Sequence, residues 1–221
     1  MIDPKKVFVY TAIFNSAVTE RFFENLNPHV NYILFSNKII NTNWDLRVVK
    51  QSQDTWRREA RYYKTLSHVI FPEADYTIWL DAQFHLAKDP VTILEEYLAT
   101  NEISTFRHRH RQCLYQEAKI CISKKYDKQI IIESQIKDYK QEGYPEKNGL
   151  CETGVMLRKH TSAIKELNEL WWHEVKNKSV RDQISFNYSL YKKNLFYYPI
   201  PAQSFKKSRD FVFEQGLKFK R

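Results

Sequence analysis

Residues Tyr76 to Phe84 read YTIWLDAQF. The first five, rich in β-branched and aromatic side chains and without a helical period, predict a buried strand over Tyr76–Leu80. Asp81 follows at the strand's end. An acid there can bind a divalent cation or a sugar hydroxyl, and it can equally be an ordinary turn residue. The segments on either side have to decide between these readings.

Upstream, Val7–Phe14 (VFVYTAIF) and Tyr32–Phe35 (YILF) are apolar β-rich runs, and Leu46–Val49 is a third, shorter one. Asp54–Phe71 predicts a helix capped by Asp54 or Thr55, with Ala60, Tyr63, Leu66 and Ile70 at helical spacing and Pro72 closing it. Downstream, a helix is predicted over Pro90–Leu98, a strand over Ile103–Phe106, and helices over Leu114–Ile122 and Tyr126–Tyr139. A strand over Gly154–Leu157, helices over Thr161–Val175 and Arg181–Leu190, and a strand over Phe196–Tyr198 complete the pattern. This alternation predicts an α/β fold with a mainly parallel central sheet flanked by helices. One domain spans residues 1–221, with a basic C-terminal tail from about residue 204. Ligands of such sheets sit at the carboxyl ends of the strands, which brings forward Thr11, Ser36, Asn37, Asp81, Gln83, Arg107 and His108.

Composition narrows the chemistry. Of 221 residues 43% are hydrophobic, enough for a real core, while only 4 are glycine. Neither G-x-G-x-x-G nor G-x-x-x-x-G-K-[ST] occurs, so the dinucleotide and P-loop fingerprints are excluded. The net charge of +9 suits nucleic acid, an anionic membrane or a phosphate-bearing substrate. Basic residues gather at Arg57, Arg58, Arg61 and Lys64, and again at Lys206, Lys207, Arg209, Lys218, Lys220 and Arg221. Cys113, Cys121 and Cys151 lack metal-site spacing and fit buried thiols in a reducing compartment. No apolar run approaches the ~18 residues of a membrane span, and residues after Met1 do not resemble a leader. A cytoplasmic protein is expected, with peripheral contact to a membrane through its basic surface left open.

Three segments together carry a resemblance. YTIWLDAQF resembles the strand and D-x-D turn of GT-A glycosyltransferases, with Gln83 in place of the second Asp. Glu152–Arg158 (ETGVMLR) resembles their N-x-G-V-x-L strand, and Arg181–Asn187 (RDQISFN) their D-Q motif. More closely, the chain resembles the TOD/MUCI glycosyltransferase-like domain family. The match runs through YTAIF at Tyr10–Phe14, Arg61, Lys64, Asp89-Pro90, Arg107-His108, Glu117, Tyr139, Arg158, Trp171 and Arg181–Phe186, over roughly residues 7–190. It implies a GT-A-like, Rossmann-like domain that moves a sugar from a nucleoside-diphosphate donor to a hydroxyl of a glycan or lipid.

The resemblance also implies roles. Thr11, Ala12, Arg61, Lys64, Asp81 and Gln83 would contact the donor, and Glu152, Asp182 and Gln183 the reacting centre. His108, Arg111 and Trp172 would meet acceptor or phosphate. Arg57, Arg61 and Lys64 recur on one helix face, a credible diphosphate clamp as well as an ordinary solvated face. Asp182 can be an acid/base group or simply a helix N-terminal acid. Trp171 and Trp172 point to different helix faces, one toward the core and the other available to stack on a sugar. A Mn²⁺ or Mg²⁺ ion at Asp81 stays open, because Gln83 is a poor ligand for a hard cation and no His follows His173. No organic cofactor is implied. A basic non-enzymatic module for nucleic acid or anionic lipid would explain the charge but not the ordered motifs. A ceramidase-like hydrolase would want a nucleophile or metal motif, and neither G-x-S-x-G nor H-E-x-x-H occurs.

Overall fold

The computed structural model describes residues 1–24, 26–202 and 205–214. Strand β1 (Val7–Ile13) is buried at every position because the sheet is covered on both faces, and a strand so placed reads as a continuous apolar run. The short β2 (Glu20–Arg21) and β4 (Asn41–Thr42) pair with each other outside the main sheet. Strands β3 (Asn31–Ser36) and β5 (Asp45–Val48) extend the sheet to one edge. Helices α1 (Trp56–Thr65) and α2 (Ser67–Ile70) precede β6 (Tyr76–Leu80) and β7 (Phe84–Leu86). Then come α3 (Pro90–Leu98), β8 (Ile103–Arg107), α4 (Leu114–Ser123) and α5 (Gln129–Gln141). The chain continues through β9 (Cys151–Lys159), α6 (Ser162–Asn177), α7 (Asp182–Lys193), β10 (Tyr198–Pro199) and β11 (Phe211–Phe213).

The main sheet has seven strands in the order β10-β8-β9-β6-β1-β3-β5. All neighbours are parallel except β9, which runs antiparallel to both β6 and β8. The mainly parallel sheet expected from the alternation is therefore present. The reversal of β9 matters for function, since it brings the start of that strand to the edge where its parallel neighbours end.

Side chains alternate between the two faces, as strand geometry requires. Val9, Ile13, Ile78 and Leu80 pack on one face with Ile93, Leu94 and Leu98 of α3. Phe8, Tyr10 and Trp79 pack on the other with Tyr63 of α1 and Ile164, Leu167 and Trp171 of α6. A third cluster joins α4, α5 and α7 through Leu114, Ile132, Tyr139, Ile184 and Tyr188, where the Tyr139 and Tyr188 rings stack at 3.7 Å.

Two expectations need correction. The single helix over Asp54–Phe71 is two helices, broken at Leu66 (φ −96°, ψ 43°). The break coincides with Arg158 of β9, whose guanidinium donates to the carbonyls of Lys64 (2.8 Å) and Thr65 (3.2 Å). Those carbonyls are satisfied by a side chain, as a helix end requires, and the helix stops. Second, the region after residue 204 is more than a basic tail. Among its described residues, β11 pairs antiparallel with β7, and Asp210 is fully buried against Lys88 and Tyr97. Lys218, Lys220 and Arg221 lie outside the described residues.

Candidate active site

At the carboxyl edge of the sheet, α1, β6, β9 and α7 converge on one cluster of charges. Lys64 Nζ, on a side chain only 1% exposed, lies 2.6 Å from Asp182 Oδ2, 3.1 Å from Thr153 Oγ1 and 3.3 Å from Asp81 Oδ1. An ammonium has three protons, and these three acceptors use them all. Arg61, one turn earlier on α1, forms an ion pair with Asp182 Oδ1 at 2.9 Å. Thr153 donates its hydroxyl to Asp182 Oδ2 at 2.8 Å. Asp182 thus has both oxygens engaged. It is also the first residue of α7, where a negative charge meets the positive end of the helix dipole. Burial alone would raise its pKa, but Arg61, Lys64 and Arg181 outweigh burial and hold it well below the usual carboxylate range.

Asp81 is less enclosed than Asp182. Its Oδ1 accepts from Trp79 Nε1 (2.8 Å) and from Lys64, while the side chain as a whole remains 37% exposed. Gly154 permits this packing. Its carbonyl accepts from the Asp81 amide at 2.7 Å, and a Cβ at 154 would come within 2.8 Å of the Phe84 ring. The β8–β9 ladder slips here, with Thr105 opposite Met156 and the next residue, Phe106, opposite Glu152. Thr105 Oγ1 spans the irregularity, reaching the carbonyls of Glu152 (2.9 Å) and Val155 (2.6 Å). Such bulges re-aim side chains beside functional sites. This one releases Thr153 and Gly154 from β8 and turns them toward Asp81 and Lys64.

Two cavities meet over the cluster. The smaller, about 210 Å³, is lined by Arg61, Lys64, Asp81, Gln83, Glu152, Thr153, Asp182 and Gln183, with Phe84, Phe106 and Phe213 among its apolar walls. The larger, about 1100 Å³, extends past Ala12, Phe14, Trp56, Arg57, Tyr126 and Lys128. Arg61, Asp81, Gln83 and Arg181 line both. Arg181 lies over the Tyr126 ring at 4.8 Å and donates to Gln183 Oε1 at 3.3 Å. Gln183 in turn donates to the Cys151 carbonyl at 3.2 Å.

Glu152 differs from the other acids. Burial pushes its pKa up to about 7, against the pull of Arg109 and Arg111. His108 Nε2 lies 3.9 Å from its Oε1. The other ring nitrogen, Nδ1, accepts from the backbone amides of His110 (3.1 Å) and Arg111 (2.9 Å). Burial, reinforced by Arg111, brings the His108 pKa down to about 4, so the ring is neutral and carries its proton on Nε2.

The structure therefore gathers Arg61, Lys64, Asp81, Gln83, Glu152, Asp182 and Gln183 around one cavity and places Ala12 in the adjoining one. Four sequence candidates line neither cavity. Thr11 faces the opposite side of the sheet from Ala12, fully buried. Trp172, expected to be free for a sugar, is in the core with Trp171, edge-on to Tyr62, because α6 is covered by α1. His108 is used in its own turn, and Arg111 is paired with Glu117 at 2.6 Å. Sequence reasoning missed Thr153, Phe213 and Arg181 as lining residues. Arg181 stands beside the D-Q pair and could have been read with it, whereas nothing local marked Phe213.

A mainly parallel sheet with one reversed strand, charged residues at its carboxyl edge and an acid after the central strand is a GT-A-like fold. Residues 5–211 match the TOD1/MUCI70, glycosyltransferase-like domain, and the chain belongs to that family. It is 36% identical over 143 residues to the "Probable hexosyltransferase MUCI70" of Arabidopsis thaliana, a match covering 59% of this chain and 24% of that protein. Among solved structures it is similar to the apo WbbM bifunctional glycosyltransferase, with a TM-score of 0.52 at 11% identity over 88% of this chain and 39% of that one. That likeness bears on the fold alone. Apo mouse xyloside xylosyltransferase 1 aligns over 87% of this chain and 83% of that one, at 13% identity and a TM-score of 0.46.

Proposed function

We propose that this domain transfers a sugar from a nucleoside-diphosphate sugar to a hydroxyl of a glycan or lipid acceptor. The observation that carries the reading is the position of Arg61, Asp81 and Arg181 where the two cavities meet. A nucleoside fits the larger cavity against Ala12, Phe14 and Trp56, and the sugar fits the smaller one. The diphosphate then lies at the junction, where arginine forks suit phosphate and fixed cations offset the charge that grows as the leaving group departs.

In the reaction the bond between the anomeric carbon and the β-phosphate oxygen breaks. The acceptor oxygen forms the new glycosidic bond, and its proton must go to a base. Glu152 suits that task, since its pKa of about 7 lets it accept a proton near neutrality. Asp182 suits it poorly, being held as a weakly basic carboxylate by two cations and a hydroxyl. Gln183, which lines the smaller cavity, would orient the sugar.

Thermal stabilisation by UDP, GDP, CDP and ADP tests the reading, because a ligand that binds only the folded state raises the melting temperature. One of them should do so, and Asp81→Ala should abolish transfer with the fold intact. Stabilisation by an oligonucleotide alone, or wild-type turnover by that variant, would remove the proposal.

A further inference from the structure

The D-x-D resemblance implies a Mn²⁺ or Mg²⁺ ion beside Asp81, and the donor set there does not fit one. Hard divalent cations take about six oxygen ligands, and at nucleotide sites the protein's share is one or two ionised carboxylates beside phosphate and water oxygens. Asp81 Oδ1 is occupied by the Trp79 indole and the Lys64 ammonium. Both oxygens of Asp182 are engaged by Arg61, Lys64 and Thr153. Gln83 is neutral, and Glu152 is only partly ionised near neutrality. Of the Asp81 and Asp182 oxygens, only Asp81 Oδ2 has no hydrogen bond or ion pair among the described residues, and an incoming cation would meet that one oxygen. Among the described residues there is no group of three or more His, Cys, Asp or Glu side chains suited to a metal.

The position of positive charge that a metal would supply is already filled. Lys64 Nζ stands 3.3 Å from the strand-end acid and cannot swing away without giving up its 2.6 Å ion pair with the buried Asp182. Arg61 is ion-paired with Asp182 through Nε, and its side chain lines both cavities. Arg181, from the start of α7, lines the same junction.

Resting on the donor reading above, we infer that side-chain cations replace the divalent metal. Arg61 and Arg181 contact the diphosphate directly, and Lys64 supplies a buried charge behind them. Asp81 holds Lys64 through Oδ1 and offers Oδ2 to a donor hydroxyl.

The test is calorimetric titration of the purified chain with UDP, GDP, CDP and ADP, each in EDTA and in Mn²⁺. The nucleotide that binds should do so with Kd values within about twofold in the two media. Arg181→Gln should weaken it about tenfold or more, with no recovery on adding Mn²⁺. Arg61→Gln should do the same, provided its melting temperature shows a folded chain. The Mn²⁺ paramagnetic resonance signal should keep its free-ion amplitude when protein is added. Binding that appears only with Mn²⁺, or loss of the free-ion signal on protein alone, would overturn the inference and leave the donor reading standing. Absence of binding by every nucleotide in both media would overturn the two together.

Discussion

Lys64 Nζ and Asp182 Oδ2 lie 2.6 Å apart, joining the last turn of α1 to the first residue of α7 with both side chains buried. Desolvating two charges is costly, and removing one partner leaves the other uncompensated. Asp182→Asn should therefore lower stability by about 3–5 kcal/mol, read by urea denaturation. The double variant Lys64→Met/Asp182→Leu should cost less than the sum of its singles. Additive losses would show that the pair does not interact. Because the Asp182 pKa is depressed in the fold, its contribution is present above its ordinary value of 3.8 and is lost as the pH falls below it.

Glu152 titrates in the opposite sense. Its pKa rises from 4.5 to about 7 on folding, so between those values the native state holds the extra proton and stability falls as the pH rises. Glu152→Gln should flatten that part of the melting-temperature profile. As the proposed base, Glu152 should also give a kcat/KM that climbs with pH to an inflection near 7. The Gln variant should lose about 100-fold or more in kcat. A wild-type pH–rate profile from that variant would assign the base elsewhere.

Arg158 acts from behind the site. It is fully buried and donates to Tyr10 Oη at 2.6 Å, Asn168 Oδ1 at 2.9 Å and the two carbonyls ending α1. No carboxylate is among these partners, so its work is to fix the helix end that carries Lys64. Arg158→Lys keeps the charge but not the fork, and should cost about 1.5–3 kcal/mol in stability. It should weaken nucleotide binding as well. An unchanged Kd would separate the helix end from the site.

Gly154→Ala places a Cβ 2.8 Å from a ring carbon of Phe84, itself buried in the core. Overpacking of this kind typically costs about 1–3 kcal/mol. Because the 154 carbonyl also holds the Asp81 amide, transfer should fall more than stability alone accounts for. Combining it with Phe84→Leu should restore part of both, and no recovery would point to another cause.

Strands β1, β3, β6 and the Gly154–Leu157 part of β9 were legible because both faces of the sheet are covered, so their residues are mostly apolar. Asp81 was legible as the acid that ends one of them. The break at Leu66 was not, because the group that ends α1 is Arg158, 93 residues from Thr65. Trp172 was misplaced because the helical period shows that a face is apolar but not that another helix covers it. Phe213 was invisible for a related reason. It reaches the site by pairing with Phe84 across β11 and β7, and no local pattern encodes that pairing.

By itself, then, the sequence determined that an α/β sheet would carry Asp81, Glu152 and Asp182 at strand and helix ends, since periodicity and strand-end polarity are local properties of the chain. The tertiary structure decided what each acid can do. Lys64 and Arg61 lie more than a hundred residues from Asp182 in the chain, yet they meet it in a buried cluster. Charge–charge energies depend on distance and burial, which only folding sets. That is why Asp182 is locked as an anion, Glu152 is poised near neutrality and Asp81 faces an ammonium.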